Sequence, residues 1–395
     1  MRVFPDVLAA LCICDLCLPV ASQQTIVVDS LMRPGAHFAA VTQGLWAARS
    51  GDKIQIRSAP QAYHENCGVF KAVTIEGIDA GWGRPFVNTL AIQVGYLTTR
   101  EQVICRNVDC QAFVAMDCSG LVHFEDCGSR SRYSNFTIWQ IKRCAQVSLV
   151  RCKASGADGW PGVWADGSHV TLNRCELWGA DAVAGPPKSG SSEALRVVHG
   201  TAALNQCVLS GGSGHPLTFD PPSAGITATS SRLIVAGDEN SVIASGTSLL
   251  LSPIMGTAVT LDLDPRVLVT ASDGTPLPPQ ASIVVRRHAI CRVEASMVPH
   301  AGMRDLVVSV GGGEPGLAVL LLGLPDIPLP VANGYWYLGA SPADPVMVLR
   351  TSPERIATWR TAIPSANVWG GYRVAFQTVT LGNRVEPGSV IHVAL

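Results

Sequence analysis

Charge is scarce in this chain: Asp, Glu, Lys and Arg make up 15% of its 395 residues, and the formal net charge is −1. With so little charge of either sign and no long run of Lys and Arg, there is no electrostatic footprint for nucleic acid or for an anionic membrane, so no nucleic-acid partner is expected. Long apolar runs are also lacking. Beyond the first 22 residues no stretch is apolar for long enough to form a membrane span, although 47% of the residues are hydrophobic. That apolar material is distributed to build a sizeable core, in a length that allows two or three domains. Helical periodicity is missing as well: nothing from 70 to 235 keeps a 3.6-residue period for three turns, while Gly, Ser, Asn and Asp punctuate nearly every segment.

What is present is a pattern repeated at one phase: apolar, gap, apolar, two spacers, cysteine. It reads Val122, Phe124, Cys127; Val147, Leu149, Cys152; Val170, Leu172, Cys175; Ala202, Leu204, Cys207, with successive cysteines 25, 23 and 32 residues apart. These steps fall in the range of roughly 20 to 50 residues that marks solenoids. Weaker copies stand upstream at Val73, Ile75, Ile78 and at Val103, Cys105, Val108, and downstream at Ile226, Ala228, Ser231. Two alternating apolar residues make a short strand with one buried face, and the extra spacer makes a corner. Strand, corner and strand at this period predict a parallel β-helix in which each coil pairs with its neighbours.

The thirteen cysteines fall to ten if residues 1 to 22 are removed. Zinc sites use close cysteine pairs with His, whereas Cys127, Cys152, Cys175 and Cys207 come one per coil. Stacked at one register, they are expected to be buried free thiols. Adjacent rungs lie about 4.8 Å apart, within disulfide reach, so ladder disulfides after export are the alternative.

Met1-Arg2, a mostly apolar Val7 to Leu18, and Pro19-Val-Ala-Ser22 are the parts of a secretory signal peptide. The expectation is a cleaved leader over 1–22 and a secreted or cell-surface product. Thr25 to Val28 and Lys53 to Arg57 read as strands around a helix from Ala36 to Arg49, with Phe38, Val41, Leu45 and Ala48 on one stripe. A strand, an amphipathic helix, Gly51-Asp-Lys-Ile-Gln-Ile56, Ala62-Tyr-His-Glu65 and Val73-Thr-Ile-Glu-Gly77 together resemble the N-terminal cap of right-handed parallel β-helix proteins of the pectin-lyase-like superfamily. The likeness covers roughly 25 to 270. It implies an all-β right-handed solenoid over 23–272 whose first coil is plugged by the helix, and it says little of chemistry.

After Ser231 the alternation weakens, with shorter coils expected at Leu233 to Val235, Leu249 to Leu251 and Val259 to Leu261. Asp273-Gly-Thr-Pro-Leu-Pro-Pro279 reads as a linker. Strands at Ser282 to Val285, Leu306 to Val310, Leu317 to Leu322 and Tyr372 to Val379 then predict a small C-terminal β-sandwich domain over 281–395.

Each cysteine strand is followed by an irregular segment: Gly128 to Asn135, Ala154 to Gly162, Trp178 to Glu193 and Leu209 to Pro216. Leaving one corner of successive coils, these loops are expected to stack into one surface carrying Arg130, Arg132, Tyr133, Asp158, Trp160, Asp181 and Lys188, with Glu193 and His215 near them. Mixed charge beside an aromatic suits a polysaccharide groove. Solvated polar loops would show the same composition. A polysaccharide lyase of this fold abstracts a proton with Arg or Lys, commonly beside calcium held by carboxylates. Arg130, Arg132 or Lys188 would be that base, and Asp158 and Asp181 the calcium ligands. Glycoside hydrolases need neighbouring aspartates, and the chain has neither an Asp-Asp pair nor Gly-His-Gly. The expected function is therefore an exported protein that binds an extracellular polysaccharide, cleavage being left open. The alternative is a non-catalytic surface or adhesion protein using the solenoid as a rigid spacer.

Overall fold

A computed structural model describes residues 23–394 except 89–91, 100, 130–138, 158, 183–189, 216–219, 248–250, 301–302, 314–315, 324, 332–333, 339–343, 352–355, 365–372 and 382–384. Among the described residues the chain is all-β apart from one helix, and it winds as a parallel β-helix with three strand faces. Face 1 carries the cysteine register, from Thr25–Val28 and Lys53–Arg57 through Leu121–Glu125, Gln146–Val150, His169–Asn173 and Thr201–Asn205. Face 2 includes Ile92–Gly95, Phe113–Met116, Trp139–Lys142, Val163–Asp166 and Leu195–Val198. Face 3 is an eight-stranded sheet of short strands from Phe86–Val87 to Leu268–Thr270. Faces 1 and 2 are joined because Ile226–Ala236 and Ile254–Leu263 run unbroken from one onto the other.

Two corners per coil use the left-handed backbone region. Between faces 1 and 3 these are Asn107, Asp126, Arg151, Arg174 and Gln206; between faces 2 and 1 they are Tyr96, Asp117, Arg143, His199, Ser230 and Ala258, all with φ between 48° and 56°. A left-handed residue costs about 1–2 kcal/mol outside Gly. Hydrogen bonds from corner N–H groups to the next coil offset much of it: Asp126 donates to Val150 O at 2.9 Å and Arg151 to Asn173 O at 2.8 Å.

The residue after each left-handed corner points inward. Val108, Cys127, Cys152, Cys175 and Cys207 form one column, each fully or nearly fully buried. All ten described cysteines are free thiols, and Cys127 Sγ lies 3.9 Å from Cys105 Sγ. Ile226, Ala228 and Ser231 do not continue this column. Ile226 pairs with Leu195 and Ala228 with Val197 on face 2, whereas Leu233 and Val235 pair with Ala202 and Leu204. The motif thus occurs twice per coil, and the second column, through Cys118, Cys144, Ser168 and Ser231, is also buried. Phe113, Phe124 and Trp139 fill the middle coils, with ring centroids 4.3 to 5.1 Å apart.

The helix, α1, spans Val41–Ala47, shorter than the Ala36 to Arg49 expected. Ala40 is already extended, and Phe38 instead bridges Val28 as a strand residue, packed against the core. Val41 and Leu45 are buried over the first coil. The segment Asp273 to Pro279, expected to be a linker, lies within the solenoid: Leu277 N–H donates to Val269 O, and Val284–Arg287 adds a further parallel strand beside Ile254–Leu263.

After this last rung, Arg292–His300, Met303–Gly311 and Ile356–Pro364 form one antiparallel sheet. Asp344–Thr351, Gly316–Gly323, Arg373–Leu381 and Val385–Ala394 form another, and the two share buried Val293, Leu306, Val308, Leu320 and Phe376. This region lies against the outside of face 1. Val385–Ala394 contacts His169–Asn173, Pro325–Val331 contacts Gln146–Val150, and Asn205 Nδ2 donates to Val293 O at 3.0 Å. The outward His123, Ser148, Thr171 and Asn173 of face 1 are accordingly buried. Face 2 keeps an exterior of its own.

Candidate functional site

The loops following the cysteine strands begin later than expected, because Gly128–Ser129, Lys153–Ser155, Glu176–Trp178 and Val208–Ser210 are the strands of face 3. The true connections run from face 3 to face 2, and successive ones bond to each other. Ser192 N–H donates to Ala180 O and Gly212 N–H to Ser192 O, while Ala182 N–H donates to Ser213 O. Ser192 Oγ donates to Trp160 O at 2.6 Å. Glycine is required by this closeness: a Cβ on Gly179 would sit 1.8 Å from Ser192 O, and one on Gly212 1.7 Å from Ala180 O. The described residues of these connections pack against one another as a ledge.

Trp160 closes a tight turn in this ledge, its N–H donating to Ala157 O at 2.8 Å. Its ring stacks on Trp164, with centroids 5.8 Å apart and planes at 28°. Trp164 is the outward residue of Val163–Asp166, half-buried, with the Lys142 ammonium 4.4 Å from its ring centroid. Arg196 is the register partner of Trp164 on the next strand, and Gln140 the partner on the preceding one. Glu193, almost fully buried, pairs with the guanidinium of Arg196. At the edge of the face, the Arg143 guanidinium bonds Asp117 at 2.5 and 2.8 Å and holds that carboxyl below its ordinary value.

The structure therefore brings Trp160 together with Trp164, Lys142, Arg196 and Glu193. Asp181 is on the same ledge, exposed, but its Oδ1 accepts the Ser213 N–H at 2.7 Å, so it serves the stacking of the loops. His215 turns back toward Asp220 through a backbone bridge. Arg130, Arg132, Tyr133, Asp158 and Lys188 lie outside the described residues. Among the described residues no group of three or more His, Cys, Asp or Glu is placed to hold a metal ion, and no helix is long and apolar enough to cross a membrane.

Sequence reasoning passed over Trp164, Lys142 and Arg196, because each occupies an outward position of a regular strand. The available signal was Trp164 itself: a large aromatic at the polar phase of an alternating strand, four residues after another tryptophan. No protein-family model matches the chain, and no match is found among curated proteins or solved structures.

Proposed function

We propose that this chain is an exported glycan-binding protein, related to the pectin-lyase-like β-helix group, whose recognition surface is the exterior of face 2 at the loop ledge. The observation that carries this reading is the Trp160–Trp164 stack. An aromatic pair on the outside of a rigid sheet, flanked by the cations Lys142 and Arg196 and the amide of Gln140, offers a flat apolar face with polar groups at its rim. Sugar rings present the complement: apolar C–H faces and equatorial hydroxyls. Covering of the face 1 exterior by the C-terminal strands favours face 2 as the open surface.

The test is a panel of neutral and acidic polysaccharides titrated with the parent and with Trp160→Ala. Loss of the stacking face removes about 1–2 kcal/mol, so affinity should fall about tenfold while the melting temperature changes little. Release of unsaturated products, followed with and without calcium, separates a lyase from a binding module in the same assay. Failure of the parent to bind any member would leave the solenoid as a rigid spacer, and binding indifferent to Trp160→Ala would put the site elsewhere.

A further inference from the structure

At the other end of the face 2 strands that the ledge loops feed, the corner joining faces 2 and 1 opens into a solvent-facing cleft of about 370 Å³. It is lined by His169, His199, Thr201, Ser230 and Arg232, and no acidic side chain is among its described lining residues. His169, Thr201 and Arg232 are register partners on three successive rungs of face 1. Their outward side chains therefore stand in a column with steps of about 4.8 Å. His199 and Ser230 come from two consecutive left-handed corners beside that column.

The cleft's backbone donors are spent within the fold. His199 N–H donates to Thr229 O at 2.9 Å, Thr201 N–H to Ser168 O at 3.0 Å and Arg232 N–H to Gly200 O at 3.1 Å. The Ser231 hydroxyl donates to Thr229 O at 2.6 Å. Recognition there falls to side chains, and those are two imidazoles, two hydroxyls and a guanidinium. Asp262, whose Oδ2 accepts from Arg232 Nε and Nη2 at 3.1 and 2.7 Å, fixes the guanidinium from the next rung. A donor-rich lining with an oriented guanidinium matches the acceptor-only surface of a tetrahedral oxyanion. The volume lies at the small end of the range of about 300–1,000 Å³ for ligand sites, enough for the anion with part of the group that bears it.

We propose that this corner cleft binds a phosphate or sulfate monoester, the oxyanion seated at Thr201 between His169 and Arg232 with His199 closing over it. This site shares no side chain with the Trp160–Trp164 stack.

The experiment titrates the full chain with inorganic phosphate, with sulfate, and with chloride at matched ionic strength, following the imidazole resonances of its nine histidines by NMR. Saturable shifts of two resonances with an oxyanion but not with chloride are expected, and those two resonances should be absent in His169→Gln and His199→Asn respectively. His199→Asn retains a residue that tolerates the left-handed corner, and Thr201→Val keeps the shape of the side chain. Each should weaken binding about tenfold, as for one charge-assisted hydrogen bond. Saturation by phosphate alone assigns a phosphomonoester, and saturation by sulfate as well assigns the shared oxyanion chemistry. Shifts that do not saturate, that chloride reproduces, or that both variants leave unchanged would overturn the site without touching the Trp160 reading.

Discussion

Asp126 and Arg151 occupy the same left-handed corner on adjacent coils, and Arg151 Nε and Nη2 donate to the two oxygens of the Asp126 carboxylate at 2.9 and 2.7 Å. The same Nη2 also reaches Glu125 Oε1 at 2.7 Å. Neither corner residue is glycine. Ion pairing along the corner thus compensates a backbone conformation that each residue resists alone.

Replacing Arg151 separates the two contributions. Arg151→Ala loses the paired hydrogen bonds and keeps the φ of 51° that alanine resists, while Arg151→Gly loses the same bonds and relieves the backbone. The pair is partly exposed, so its own worth is about 1 kcal/mol, and the alanine variant should be less stable than the glycine variant by about a further 1 kcal/mol. Urea unfolding of the two proteins measures the gap; equal midpoints would mean the corner carries no strain.

Glu125 supplies a pH dependence. Burial disfavours its charge, but His123 at 3.7 Å, Arg106 at 2.9 Å and Arg151 at 2.7 Å outweigh burial and hold the carboxyl well below its usual value of 4.5. Because the folded value is depressed, the stabilisation is present above about pH 5 and is lost as pH falls below the unfolded value toward the folded one. The melting temperature of the parent should exceed that of Glu125→Gln near neutrality, and the difference should shrink steadily as the pH falls below about 4.5. A difference that stays constant down to pH 3 would remove Glu125 from the acid response.

Cys152 tests the interior column. It is fully buried, its thiol donating to Val150 O and Phe124 O at 3.4 and 3.5 Å. Cys152→Ala should cost about 1–2 kcal/mol as a small cavity, whereas Cys152→Asp should cost several kcal/mol, since the fully buried position removes a carboxylate from water. A thiol reagent should label the native chain slowly and the urea-unfolded chain fully. A Cys152→Asp protein that melts like the parent would place the side chain in solvent.

The cysteine column was legible because every member follows two strictly alternating apolar residues and is itself apolar. Its twin on face 2 was not, since the equivalent inward position passes from Cys118 and Cys144 to Ser168, Gly200 and Ser231, which read as turn residues until the register is known. Left-handed corners were hidden for a related reason: Arg143, Arg151 and Arg174 stand where Asn or Gly would have announced a corner, and their cost is met by contacts from the next coil. At the candidate site Trp160 was found because it interrupts a polar loop. Its partners Trp164, Lys142 and Arg196 come from three different strands, and only the coil-to-coil register brings them together.

The end of the solenoid makes the last prediction. An uncapped first coil would expose strand edges and apolar interior, which favours aggregation. Helix α1 covers it, yet its N-cap residue, Ala40, makes no side-chain cap. Glu65 supplies the cap from a neighbouring segment: its carboxylate oxygens accept the N–H groups of Val41 and Thr42, each at 2.7 Å, and the Thr42 hydroxyl at 2.6 Å. An anion at a helix N-terminus also opposes the helix dipole favourably. Glu65→Ala should therefore cost about 1–2 kcal/mol, and Glu65→Gln, which keeps one acceptor oxygen and loses the charge, should fall between it and the parent. Deleting 25–50 removes both strand and helix and should give an insoluble product. A soluble, monomeric truncation, or a Glu65→Ala chain as stable as the parent, would mean that the first coil closes without α1.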